Sequence, residues 1–327
     1  MVEKEPAMLH YGKVHHSHRA MAESIDAELI QIDAGSPISR ITSAMKLDLG
    51  DRPVITEGGI PLFQAAWMDV FRNCGPIIHL AADEALMNIF NRLEHYTFKD
   101  RVAHAWAHRR VDGVLAVSPR LAAEARVFGT EHIKVIHPFP DSWKWNKLIN
   151  NEPNLASNRI LAVGSKRPKN NFEMLNAIGE HCEKNIVFDV VGPETGDLER
   201  TEYVRPHGFV EQEEFLRLFS EAKAFILPAV SQPFPVSTLE SMIGGLPPFV
   251  TDETGTSPFI RKIHPKLVQN NSPKSFANAI DWYSNLDPEQ RRGISTRTRQ
   301  MGEFFDRDTG KQMFAEAYAQ VMEGILE

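Results

Sequence analysis

The feature that most constrains the fold is an alternation that recurs along both halves of the chain, in which short apolar runs are followed by longer stretches of helical periodicity. In the first half the strand-like runs are Ala7–Tyr11, Glu28–Ile32, Pro53–Thr56, Pro76–Leu80, Gly113–Val117 and Ile133–Ile136. Helical patterns such as Leu62–Arg72 and Pro119–Phe128 lie between them, the second following Ser118 as N-cap. In the second half RILAVG, NIVFDVVG, YVRPHG, AKAFILPA and LPPFVTD read as strands, most of them ending in Gly or Pro. They are separated by helices predicted at Phe172–Glu183, Glu211–Glu221 and Val236–Ile243. Strands that are apolar throughout, with helices between them, imply parallel sheets covered on both faces. The expected fold class is α/β, with two Rossmann-like, doubly wound domains.

A chain of 327 residues has room for two such domains. Between Pro140 and Asn158 the pattern stops in a polar, asparagine-rich stretch that reads as a linker. The predicted domains are therefore 1–148 and 149–327. Lys311–Leu326 is a further amphipathic helix, with Phe314, Tyr318, Val321 and Ile325 at helical spacing; residues 305–327 are expected to pack back on the first domain. A formal net charge of -7 argues against nucleic acid as a partner. Cys74 and Cys182 lie far apart and suggest neither a disulfide framework nor a zinc site. The opening MVEKEPAML has no signal-peptide run, and no apolar stretch is long enough to cross a bilayer. A cytoplasmic location is expected, with any membrane contact peripheral, on the inner face.

The most informative chemistry lies in SQPFPVSTLESMIGGLPPFV, Ser231 to Val250, which reads as loop, helix, Gly pair and strand. In doubly wound sheets ligands sit beyond the C-terminal edge of the strands, where a helix N-terminus offers unpaired amides and a positive dipole end. The amides of Val236, Ser237 and Thr238 would cradle a pyrophosphate, and Ser237 or Thr238 could add a hydroxyl. Glu240 leans back one turn toward the same ligand, where a carboxylate can accept both protons of a ribose diol. Helix-interior glutamates are ordinarily solvated, so spacing alone leaves Glu240 open. The loop VGSKRPKNN, Val163–Asn171, adds Lys166, Arg167 and Lys169 where a diphosphate must be neutralised. A solvated turn is the default for such a loop, and it is not a P-loop because GxxxxGK[ST] is absent.

Together these segments resemble retaining glycosyltransferase family 4, the group 1 glycosyl transferases of GT-B fold, whose C-terminal domains carry a basic loop and an E-x7-E motif. VRPHGFVEQEEFLRLFSEAKAFILPA resembles the run that precedes that motif, and DGVLAVSPRLAAEARVFG with HIKVIHPFPD resembles the end of the first domain. The resemblance implies two domains facing a central cleft and a nucleotide-sugar donor, UDP- or GDP-linked, held by the second. It makes Glu240 the ribose ligand, and Arg167 and Lys169 the pair that stabilises the departing diphosphate, with Gly164 and Lys166 in the same loop. The backbone around Arg205–Gly208, including His207, would face the base. Gln232 stands where the family usually has Glu, and Pro233 and Pro235 replace small residues; Gln232 can hydrogen-bond a sugar hydroxyl but brings no charge. Gly244 and Gly245 are assigned to the helix end.

The resemblance also implies that the acceptor, a glycan, lipid or small molecule, lies on the first domain. The loop GKVHHSHR would face the cleft with Gly12 and His15, and Glu57 of TEGG would approach the acceptor. His15, His16 and His18 lack a metal-site spacing and a fourth ligand, so no metal or other cofactor is expected. In PIIHLAADE the resemblance makes Asp83 the candidate contact to the transferred sugar, while His79 is equally a core histidine. The resulting expectation is a metal-independent hexosyltransferase working with retention, in which the leaving diphosphate itself assists proton removal. Alternatives are an epimerase or hydrolase of the same architecture, or a donor-site relic that binds a partner protein. A dehydrogenase is disfavoured because no strand is followed by GxGxxG.

Overall fold

The computed structural model describes residues 4–32, 35–72, 74–91 and 97–327. Among them the chain forms two compact units: residues 1–138 together with 307–327, and residues 139–306.

The first unit is built on β1 (Ala7–His10), β2 (Glu28–Gln31), β3 (Val54–Glu57), β4 (Ile77–Ala81), β5 (Gly113–Ala116) and β6 (His132–Val135), all parallel in the order β2-β1-β3-β4-β5-β6. Its helices are α1 (His16–Glu23), α2 (Pro37–Lys46), α3 (Gly59–Arg72), α4 (Ala85–Asn91), α5 (Phe98–His108) and α6 (Pro119–Arg126). Each predicted strand is present to within a residue at either end. Burial explains why: β1, β4 and β5 are buried along their whole length, so their positions read as unbroken apolar runs. Ser118 caps α6 as expected, accepting the Leu121 amide. GKVHHSHR departs from expectation. Only its first residues are loop, because His15 accepts the Ser17 amide and starts α1 at His16.

The second unit contains α7 (Ser142–Leu148), β7 (Arg159–Val163), α8 (Met174–His181), β8 (Val187–Val191), β9 (Val204–Gly208), α9 (Gln212–Glu221), β10 (Ala224–Leu227), α10 (Val236–Ile243) and β11 (Pro248–Thr251). It continues through α11 (Ser257–Ile263), β12 (Val268–Gln269), α12 (Pro273–Asn285) and α13 (Pro288–Gly302). Its parallel sheet runs β12-β11-β10-β7-β8-β9. Phe215, Leu218 and Phe219 form the buried face of α9, as their spacing predicts. After α10 the chain turns at Gly245, with φ +72°; its amide bonds Met242 O at 3.0 Å and the Leu246 amide bonds Ser241 O at 2.9 Å. That is the Gly-based helix stop assigned to Gly244 and Gly245.

The expected linker contains a helix, and the unit boundary falls at Phe139 rather than at 149. Residues 142–148 are too few to show a helical period, yet Asp141 caps them and Leu148 is fully buried. Trp143 meets the edge of the Phe215 ring, and the Arg299 guanidinium holds the Leu148 carbonyl at 3.3 Å, which ties α7 to the second unit. The last helix, α14 (Arg307–Leu326), belongs to the first unit and lies against α1, β5 and β6. A Cβ at Gly113 would come within 2.3 Å of Val321 Cγ1, so helix and strand meet without a side chain between them.

Candidate functional site

In the second unit the chain order reverses between β7 and β10, and the loops that follow these two strands leave the sheet at the same edge. Such a switch point leaves a crevice outside the strand ends. The loop after β7 carries Gly164, Lys166, Arg167 and Lys169, and the loop after β10 leads through Gln232 to α10. Asn170, buried, joins them: its amide group donates to Ser165 O at 2.7 Å and its Oδ1 accepts from Gln232 Nε2 at 2.5 Å. The Val230 amide donates to Lys169 O at 2.9 Å, and the Gly255 amide to Gln232 O at 2.9 Å. Gly192, at the end of β8 with φ +138°, allows this edge to close, since a Cβ there would meet Gly164 O at 2.2 Å.

Arg167 and Lys166 are exposed, and Lys166 Nζ donates to Asp197 O at 3.0 Å. Opposite them α10 begins after Pro235, which provides no side-chain cap, so the first amides of the helix have no intrahelical acceptor. Val236 and Ser237, the first two residues of the helix, are half-buried. Thr238 is not. Its side chain is wholly buried, its hydroxyl donates to Pro235 O at 2.7 Å and meets Thr256 Oγ1 at 3.1 Å, and its amide bonds Pro235 O. Of the three amides expected to form a cradle, that of Thr238 is therefore already taken.

Glu240 is not a solvated helix residue. Its side chain is 6% exposed and accepts the Lys144 ammonium of α7 at 2.8 Å. Lys144 in turn lies over the Phe215 ring at 5.0 Å. His207 is bonded through Nε2 to Asp189 Oδ1 at 2.8 Å, and the other oxygen of that buried carboxylate takes Arg159 Nε at 2.6 Å. The His207 ring is thus held by Asp189 in an ion cluster on the sheet.

In the first unit the order reverses between β1 and β3, again bringing two predicted loops to one strand edge. Gly12 follows β1 at φ +66°, with open space where a Cβ would be. His15 Nδ1 lies 2.7 Å from Ser17 Oγ, and His18 Nδ1 is bonded to Glu57 at the end of β3. The other oxygen of Glu57 is buried and has no hydrogen-bond partner.

Asp83 has a different setting from the one expected. Its Oδ2 accepts the Gly59 amide at 2.7 Å and its Oδ1 the Ala85 amide at 3.0 Å, so the carboxylate joins the starts of α3 and α4. Gly58, at φ +85°, makes room for it, since a Cβ would sit 2.6 Å from Asp83 Oδ2. His79 is a core residue, completely buried on β4 with Nδ1 3.0 Å from Thr56 Oγ1. Its ring meets His108 edge-on at 4.9 Å, and burial pushes its pKa down to about 4. Lys144, Asn170 and the His18–Glu57 pair were not identified from the sequence. Lys144 sits in the presumed linker, and Asn170 carries no local signal beyond its polar neighbours.

No groups of His, Cys, Asp and Glu placed to hold a metal ion occur among the described residues, and none of their helices is long and apolar enough to cross a membrane.

Two parallel, doubly wound sheets with loops converging at the reversal of strand order define an α/β architecture of GT-B type. Residues 157–285 match the family described as Glycosyl transferases group 1, so the core of the second unit carries the resemblance read from its motifs. The fold is similar to that of sucrose-phosphate synthase from Thermosynechococcus elongatus, at 13% identity and TM-score 0.75, covering 98% of this chain and 100% of that one. Anabaena HepE in complex with UDP-glucose is similar at 15% identity and TM-score 0.70, covering 96% and 99%. A glycosyltransferase from Rickettsia africae follows at 12% identity and TM-score 0.66, covering 97% and 99%. At these identities the likeness establishes the fold. No curated protein matches the chain.

The Asn170–Gln232 contact supplies the first prediction. Asn170→Ala removes both side-chain bonds and is expected to cost about 1–2 kcal/mol of stability. If Arg167 and Lys169 hold a nucleotide, it should also weaken that binding more than the stability loss explains, because the loop loses its anchor. A urea titration beside a nucleotide titration checks this; unchanged affinity would show that the loop needs no such anchor.

Proposed function

We infer that the chain is a glycosyltransferase that moves a sugar from a nucleotide-sugar donor, UDP- or GDP-linked, to an acceptor hydroxyl with retention of anomeric configuration. The observation that carries this reading is the edge of the second sheet, where Asn170 ties a basic loop to the segment that leads into an uncapped helix N-terminus. The group 1 match over the same residues and the UDP-glucose complex of HepE, a protein of similar fold, support it.

In this reading Arg167 and Lys169 neutralise the diphosphate, and the Val236 and Ser237 amides bind its oxygens. Glu240 accepts the ribose hydroxyls, and Gln232 bonds a hydroxyl of the sugar. The bond between the anomeric carbon and the diphosphate oxygen breaks as the acceptor oxygen attacks from the same face. The acceptor proton passes to the departing diphosphate, so neither a protein nucleophile nor a metal is required. Gly12, His15 and Glu57 receive the acceptor, with Glu57 oriented by His18. Asp83 acts as a helix joint rather than as a sugar ligand. The two cysteines, both free, fit a reducing cytosol.

One observation favours a second reading. The Lys144–Glu240 ion pair gives Glu240 a packing role that a partner-binding relic would retain. Thermal stabilisation by UDP-, GDP-, ADP- and dTDP-sugars, with Arg167→Ala beside the wild type, separates the two. A donor at about 100 times its dissociation constant should add about 2.7 kcal/mol, and Arg167→Ala should abolish the gain. If no donor shifts the midpoint, the relic reading prevails. Hydrolysis or epimerisation of the donor without acceptor would point to those enzymes instead, and an inverted anomeric proton signal in the product would overturn retention.

A further inference from the structure

Away from the strand edges, the surface of the first unit departs most from an ordinary solvated one on three neighbouring helices. On α3, Phe63, Trp67 and Phe71 follow one another at four-residue spacing, and on α5 so do Phe98, Val102 and Trp106. This spacing aligns each set along one stripe of its helix. The stripes adjoin: Trp106 lies 5.9 Å from Phe63 and 5.0 Å from Trp67, and Trp67 stacks on Phe71 at 5.5 Å. Phe63, Trp67 and Trp106 are half-buried, and the outer members of the two stripes are open. Phe98 is 72% exposed, Val102 52% and Phe71 44%. On α2, packed beside α3, Ile38 and Met45 are exposed as well.

The charge around these rings is the opposite of the charge of the whole chain. In α2, α3 and residues 98–110 the charged side chains are Arg40, Lys46, Arg72, Lys99, Arg101, Arg109 and Arg110 against Asp69 and Asp100, with His104 and His108 besides, while the chain has a net charge of -7. Asp100 is internally committed: it forms a capping box with Thr97, whose hydroxyl is the main cause of its lowered pKa, with His104 and Arg40 adding to it. Arg110 pairs with Asp69 and lies over the Trp106 ring at 5.1 Å. Lys46, Lys99 and Arg109 are exposed.

We propose that α2, α3 and α5 form a surface that docks on an anionic lipid bilayer, with Phe71, Phe98 and Val102 entering the headgroup region and Lys46, Lys99 and Arg109 meeting lipid phosphates. Aromatic rings with one wet edge favour that interface, and long basic side chains can bury their stems while their charges stay among the headgroups. The concentration of positive charge on an otherwise acidic chain selects anionic lipid over a neutral bilayer. The surface does not include the strand edges assigned to donor and acceptor, so this proposal and the transfer reaction stand or fall separately.

Flotation with vesicles of equal parts phosphatidylcholine and phosphatidylglycerol, against phosphatidylcholine alone, tests it. The protein is expected to float with the mixed vesicles only, and less so as salt rises. Lys99→Glu and Arg109→Glu should each lower the partition coefficient at least about fivefold, and Phe98→Ser with Phe71→Ser should abolish flotation while circular dichroism stays unchanged. Failure of the folded wild type to float with the anionic vesicles would overturn the proposal. So would reversible self-association without lipid that Phe98→Ser abolishes, because a second copy would then be what covers the surface.

Discussion

Lys144→Met is expected to destabilise the second unit more than Glu240→Gln, although the two substitutions break the same ion pair. The Glu240 side chain is 6% exposed and the Lys144 side chain 25%. Removing the lysine takes a charged partner from a carboxylate that cannot turn to water, and breaking a buried ion pair from that side costs up to about 3–5 kcal/mol. Removing the carboxylate leaves an ammonium on a flexible stem that can rehydrate, so the loss should be about 1 kcal/mol. Function should follow the reverse order. If Glu240 accepts the ribose diol, Glu240→Gln forfeits charge-assisted bonds of about 1.5–3 kcal/mol each, which is a hundredfold or more in kcat/KM. Lys144→Met, where it folds, should bind donor at least as tightly as the wild type, because the ammonium no longer competes for the carboxylate. Urea unfolding and donor titration on both variants check the crossed order. If both substitutions lower stability and leave donor affinity alone, Glu240 is a packing residue and not a ligand.

The second large effect is a loss of stability in acid, traceable to the histidines beside β4. Burial pushes the His79 pKa down to about 4, with the His104 charge adding to the depression and the Asp83 carboxylate opposing it. Burial likewise holds His108 well below its ordinary value. His79 Nε2 and His108 Nε2 are both buried without a hydrogen-bond partner, so neither imidazole has a place for a second proton. In the unfolded chain both groups bind a proton near pH 6.5. Because the folded pKa is the lower one, the contribution is complete above pH 6.5 and is lost as pH falls from there toward 4. For His79 alone the gap corresponds to about 3 kcal/mol. Urea midpoints measured from pH 7.5 down to 4 should fall steeply for the wild type and less steeply for His79→Gln. Equal slopes for the two proteins would show that protons enter elsewhere.

The strands were legible because burial on both faces leaves little choice of residue: IIHLA and AFIL can hardly be anything else in a chain of this kind. Helix α10 was placed to the residue because Pro235 and Gly244 stand at its two ends. Helices α1 and α7 were missed for the converse reason. His15 is not a residue ordinarily read as an N-cap, and residues 142–148 span too few turns to show a period. In the site, the basic loop and the start of α10 could be read because each is one continuous segment. The contacts that position them could not, since Asn170 and Gln232 are 62 residues apart and Lys144 and Glu240 are 96 apart. For the same reason Asp83 and Thr238 were read as ligand-facing when their polar atoms are engaged by the protein itself. Spacing shows where a side chain starts, but not whether a partner from elsewhere in the sequence already holds it.

The placement of α14 also bears on the order in which the protein is made. The second unit is one continuous stretch, residues 139–306, and can close as soon as it leaves the ribosome. The first unit cannot. Its β5 and β6 are synthesised early, but the helix that covers them, with Val321 against Gly113, emerges only after the whole second unit has been translated. Throughout that interval an apolar sheet face waits in a partly folded nascent chain, and its closure requires a contact spanning most of the sequence. The unit translated first is therefore the one completed last, and a chaperone that binds apolar segments would find its longest opportunity there.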